Sequence, residues 1–92
     1  MKEVLILEDK SETRKVLAGL VKEVRSDAVI YEAADEKTAY DIAMKRTIDL
    51  FLVDIILHPQ QHDDVSGGKF AQNIRKVDKY LFTPILIITS MY

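Results

Sequence analysis

Three carboxylates and two hydroxyls stand where buried segments end. Glu8 and Asp9 follow the apolar run of "LILEDK", Asp54 follows that of "LFLVDIILHP", and Thr89 and Ser90 close "PILIITS". Carboxylates that share a site disfavour one another's ionisation. A hard divalent cation is the natural compensation, and magnesium suits it, because it takes carboxylate oxygens together with waters and often bridges to a phosphate. Such a site neutralises the oxygens of a phosphoryl group while a carboxylate oxygen attacks its phosphorus. In that chemistry Asp54 is the candidate nucleophile and the acid pair the candidate metal holder. Thr89 Oγ1 and the backbone N–H of Ser90 are candidate donors to the phosphoryl oxygens.

These groups meet only if the fold aligns the ends of their segments. "EVLIL" at 3–7 reads as a buried strand, and from Ser11 the period changes to that of a helix. Leu17, Leu20, Val21 and Val24 form its apolar stripe, and Ser11 is placed to cap its first turn. "AVIYEAA" at 28–34 is a second strand. Asp35 then caps a helix expected to turn Ala39, Ile42, Ala43 and Met44 inward, and "TIDLFLVD" at 47–54 is a third strand. The polar stretch "HPQQHDDVSGG" at 58–68 exceeds the usual link of about two to six residues. A third helix carries Phe70, Ile74 and Val77 on one face, Tyr80 and Phe82 flank a turn as core or edge packing, and 84–89 is a fourth strand. Strands dense in Ile, Val and Leu alternating with helices make a parallel sheet covered on both faces, an α/β fold of order βαβαβαβ. The carboxyl ends of all its strands share one edge, where open α/β folds place their sites.

The 92 residues allow one domain, 1–92, with a modest core. Thirteen basic against fifteen acidic side chains give a net charge of -2, so no general field draws nucleic acid. With no cysteine there is neither a disulfide framework nor a thiol nucleophile. The apolar runs fall far short of the roughly 20 residues that cross a membrane, and the start lacks a secretory signal. A soluble cytoplasmic protein without membrane or direct nucleic-acid contact is the expectation.

Three helices divided between two faces leave one face thinly covered. Apolar side chains of strands 3 and 4 are then expected to face water, with strand 4 an open edge. Self-association, or a continuation of the chain that completes the fold, would supply the cover.

"LILEDK", "LFLVDI", a glycine before the third helix and "TPILIITS", in this order, resemble the receiver domain of bacterial two-component response regulators, and the resemblance covers essentially the whole chain. It implies a flavodoxin-like sheet, (βα)3β, with strand order 2-1-3-4. It implies that Asp54 accepts a phosphoryl group from a sensor histidine kinase or phosphotransfer protein, with Mg2+ as cofactor. Asp9 and Asp54 correspond to side-chain magnesium ligands, the Ile56 carbonyl to a third protein ligand, Glu8 to an acid acting nearby, and Thr89 to the switch hydroxyl. The pattern departs from the family in two ways. A fourth helix, a fifth strand with a site lysine and a fifth helix have no counterpart in these residues, so a truncated receiver is the expectation. The segment between Asp54 and Gly67 is also longer than usual.

Three other readings remain. A non-switching interaction or oligomerisation module would keep the receiver outline without the phosphoryl chemistry. An aspartyl phosphatase would need a second acid two residues past Asp54, where Ile56 stands. A nucleotide-binding module would need a glycine-rich turn where "EDKSET" stands. His58 and His62, followed by Asp63 and Asp64, read as an exposed polar loop rather than a transition-metal site.

Overall fold

A computed structural model describes residues 2–57 and 66–91. The elements follow one another as β1 (Glu3–Leu7), α1 (Ser11–Val24), β2 (Val29–Ala33), α2 (Glu36–Lys45), β3 (Leu50–Leu57), α3 (Ser66–Ile74), a 3-10 turn (Asp78–Tyr80) and β4 (Ile85–Met91). All strand pairs are parallel and the order is β2-β1-β3-β4. The chain therefore steps one way from β1 to β2 and the other way to β3. The reversal falls between β1 and β3, so Glu8, just past the end of β1, and Asp54, which lies three residues before the end of β3 rather than at it, flank the switch point of the sheet.

Alternation along the strands divides the apolar residues between two faces. On one face Leu5, Leu7, Phe51 and Val53 pack with Ala39 and Ala43 of α2, Phe70 and Ile74 of α3, and Tyr80. Its aromatic rings meet edge to face, with centroids 5.4 Å apart for Tyr40 and Phe70, 5.9 Å for Phe70 and Phe51, and 4.9 Å for Phe51 and Tyr80. On the other face Val4, Ile6, Ala28 and Leu52 are covered by α1 through Leu17, Ala18 and Val21.

The ends of α2 are both tied down. Asp35 accepts a hydrogen bond from the Thr38 amide at 2.8 Å, as expected of a cap. That bond holds the Asp35 carboxyl below its ordinary value of 3.8. At the other end the Tyr80 hydroxyl lies against the carbonyls of Ala43 and Arg46, and Lys79 Nζ donates to the Arg46 carbonyl at 2.9 Å.

Several expectations need correction. Ser11 is already helical; Lys10 occupies the cap position, with no side-chain cap bond, so the Ser11 hydroxyl has no place in that role. Leu20 and Val24 lie in the apolar stripe of α1, yet Val24 is 90% exposed, because that flank of the helix overhangs the sheet beside β3 and β4 where no element packs among the described residues. Met44 is exposed at the last turn of α2. Phe82 is 94% exposed: the 3-10 turn commits Tyr80 to the core and leaves the following residues outside. β3 is better covered than expected, with Phe51, Leu52 and Val53 all buried, while the thin cover falls on β4, where Leu86 and Ile87 are exposed on opposite faces. β3 and β4 also begin later and run further than expected, and the whole of 58–65, with both histidines, lies outside the described residues.

Candidate phosphoryl and divalent-cation site

The pairing of Leu7 with Val53 sets the geometry. One residue beyond it stand Glu8 and Asp54, on the face already carrying Ile6 and Leu52. Both acids are withdrawn from solvent, Glu8 to 2% exposure and Asp54 to 8%. In β4, Ile88 is opposite Asp54, Thr89 opposite Ile55 and Ser90 opposite Ile56. The backbones of Thr89, Ser90 and Ile56 thus run past the same edge; their side chains lie outside the described residues.

Glu8 is fixed at three of its four polar points. Its N–H donates to the Ala33 carbonyl at 3.0 Å, which extends the β1–β2 ladder by one residue. Its carbonyl accepts from Arg14 Nη1 at 2.8 Å, and its Oε1 accepts from the Lys10 N–H at 2.9 Å. The fourth, Oε2, is buried with no hydrogen-bond partner among the described residues. A buried carboxylate oxygen left without a donor is costly. A hard cation is one group that satisfies it.

Asp9, by contrast, is exposed at the tip beyond Glu8. Among the described residues no three His, Asp or Glu side chains lie close enough together to hold one metal ion, so the expected convergence of Glu8, Asp9 and Asp54 is not assembled here. Magnesium does not require it, since one or two carboxylates with waters suffice. Glu8 and Asp54 fit that requirement by their burial and by the unpartnered Oε2.

Arg14 was not legible as a site residue. It reaches from the first turns of α1 to the Glu8 carbonyl and, through Nε, to Glu32 Oε1 of β2 at 3.0 Å. The only signal in the sequence is a basic residue five positions after Asp9, and its partner Glu32 is 18 residues away.

Comparison with known proteins bears on this arrangement. The family model of the response regulator receiver domain matches residues 4–92. Among solved structures, the chemotaxis response regulator CheY4 of Vibrio cholerae is 25% identical, with a TM-score of 0.77 over 95% of this chain and 67% of that one. The MaeR response regulator bound to beryllium trifluoride is 24% identical, with a TM-score of 0.78 over 98% of this chain and 68% of its own. The response regulator TrrA, solved with the histidine kinase ThkA, gives 24% identity and a TM-score of 0.74, over 98% of this chain and 70% of the matched chain. The chain spans about two thirds of the length of these structures. Curated protein sequences return no match. No described helix is long and apolar enough to cross a membrane.

Proposed function

Because the chain belongs to the response regulator receiver domain family, we propose that it serves as a receiver-fold interaction module that associates with a second copy of itself. The observation that carries this reading is the uncovered flank of α1. There Leu20, Val21 and Val24 face Leu50, Pro84 and Leu86 across a cavity of about 510 Å³. Beside it β4 pairs only with β3 among the described residues, and its sequence "ILIITSM" contains neither a charge nor a proline to discourage edge pairing. A second copy carries the same open edge, and two such edges satisfy one another's backbone groups. A dilution series by sedimentation velocity tests this in the cytoplasmic range of pH and salt. A dimer that dissociates on dilution is expected, and Leu86→Glu shifts it to monomer. A wild-type chain that stays monomeric at every concentration overturns the reading.

A second reading is favoured by the buried Oε2 of Glu8, a residue that follows the Leu7–Val53 pairing on β1 as buried Asp54 follows it on β3. In it Asp54 accepts a phosphoryl group: a carboxylate oxygen bonds to phosphorus as the bond from phosphorus to the donor's histidine nitrogen breaks, leaving an acyl phosphate. Glu8, Asp54 and the Ile56 carbonyl would hold Mg2+, with Asp9 turning in from the tip. When bound, the ion supplies positive charge against the phosphoryl oxygens. Thr89 Oγ1 and the Ser90 N–H are assigned the remaining donations. A histidine kinase is the donor class, a reading supported by the complex of TrrA with ThkA. We assign no turnover activity to the chain, since Ile56 supplies no acid for a leaving group. Incubation with a small phosphodonor and magnesium separates the cases: one label per chain, lost with Asp54→Asn, supports the acceptor, and many turnovers per chain support a phosphatase.

A further inference from the structure

We infer that Arg14 is a positioning residue for divalent-cation binding at Glu8 and Asp54, and that Glu32 orients it. The inference rests on the cation-binding reading above and assigns a role to residues outside the ligand set.

The argument begins with what Arg14 touches. The carbonyl it holds is that of the peptide joining Glu8 to Asp9, the point where the chain leaves β1 and turns toward α1. The Glu8 N–H, on the preceding peptide, is committed to Ala33 and its Oε1 to the Lys10 amide, so the Arg14 contact on the carbonyl holds the residue from its other side as well. What remains is one buried oxygen, Oε2, held in place before any ligand arrives. Preorganisation of this kind matters for a cation that loses its waters reluctantly, because a mobile ligand would have to be ordered during binding.

The guanidinium performs this task from a fixed position. Its Nε is paired with Glu32 Oε1, and only 17% of the Arg14 side chain is exposed. The rigid fork of an arginine lets one nitrogen serve Glu32 while another serves the Glu8 carbonyl. A lysine has a single ammonium and no such fork. Arg14 thereby ties the start of α1 to the tips of both β1 and β2, and the direction of the acid pair depends on that three-way junction.

Magnesium titration by calorimetry, run well below the melting temperature of each protein, tests the role. Partners that orient ligands from outside the ligand set change metal affinity by roughly 10- to 100-fold. Arg14→Ala is expected to weaken magnesium binding about tenfold. Arg14→Lys is expected to lose nearly as much, and Glu32→Gln about threefold, being one step further from the ligand. A merely structural arginine would lower the melting temperature but leave the affinity of the folded protein unchanged. Amide resonances give an independent readout: without magnesium, Arg14→Ala should shift those of Asp9 and Lys10 and leave those of α2 in place. If Arg14→Ala does not fold, Arg14→Lys and Glu32→Gln carry the test. Wild-type binding that these variants retain within about twofold overturns the assignment alone. Wild-type protein that binds no magnesium removes the cation reading and the assignment together.

Discussion

The hydroxyl of Tyr80 lies 2.6 Å from the carbonyl oxygen of Ala43, across 37 residues of sequence. The same oxygen is 2.7 Å from the Arg46 carbonyl and accepts the Ile48 N–H at 3.2 Å. One fully buried phenol therefore serves the last carbonyls of α2 and the entry to β3. Tyr80→Phe keeps the ring among Phe51 and its neighbours but takes the hydroxyl away from the Ala43 carbonyl and the Ile48 N–H, while Lys79 Nζ still donates to the Arg46 carbonyl. The expected cost is about 2 kcal/mol, in the range for stranding buried polar groups. Urea denaturation measures it, and an unchanged midpoint would show that water takes over the task of the hydroxyl.

Asp54 is tested by removing its charge with little change of shape. Asp54→Asn should weaken magnesium binding by more than the roughly tenfold that even indirect partners cost. It should also prevent labelling by a phosphodonor. Calorimetry giving equal affinity for both proteins would reject the pairing of Asp54 with Glu8 as a cation site.

Val24 separates fold stability from association. At 90% exposure its side chain contributes almost nothing to the monomer, so Val24→Lys should alter the unfolding free energy by no more than about 0.5 kcal/mol. On the flank of the α1 cavity, however, a lysine places charge in the proposed contact. Sedimentation should show weaker self-association for Val24→Lys than for the wild type; equal association constants would place the contact elsewhere.

Asp35 makes a pH-dependent contribution of known sign. The amide of Thr38 holds its carboxyl below 3.8, so the unfolded chain takes up this proton more readily than the folded one. The cap's contribution is therefore fully present above the unfolded value and is lost as pH falls through the folded one. Asp35→Asn should show a constant stability difference from the wild type above pH 5 or so, narrowing toward pH 3, where thermal melts can follow it. A difference independent of pH over this window would mean that the charge of the carboxylate plays no part in the cap.

What was legible follows from which constraints are local. β1 and β3 sit between neighbours and under helices, so their Ile, Val, Leu and Phe runs announced them; Glu8 stood out by ending its run, and Asp54 by interrupting a strand that goes on to Leu57, where an end at Asp54 was expected. The cap at Asp35 was readable because donor and acceptor are three residues apart. The fate of Leu20 and Val24 was not readable, since a helical stripe tells which side is apolar and says nothing about whether a neighbour occupies all of it. Phe82 misled for a related reason, because an aromatic residue by a turn carries no sign of which way the turn will face it, and here the 3-10 turn buries Tyr80 instead. Asp9 shares Glu8's strand end, but only the first of two consecutive residues can turn into the sheet face carrying Ile6. The junction of Arg14, Glu32 and the Glu8 carbonyl joins elements that only the β1–β2 pairing brings together.

The unequal dressing of the sheet has a kinetic corollary. β1 is bonded to a strand on either side, whereas β4 is bonded only to β3 among the described residues and has exposed side chains on both faces. Backbone amides of β4 are thus expected to trade their protons for deuterium through shallow local openings, while those of β1 must wait for nearly the whole molecule to come apart. A partner that settled on β4 would announce itself first as a slowing of that exchange.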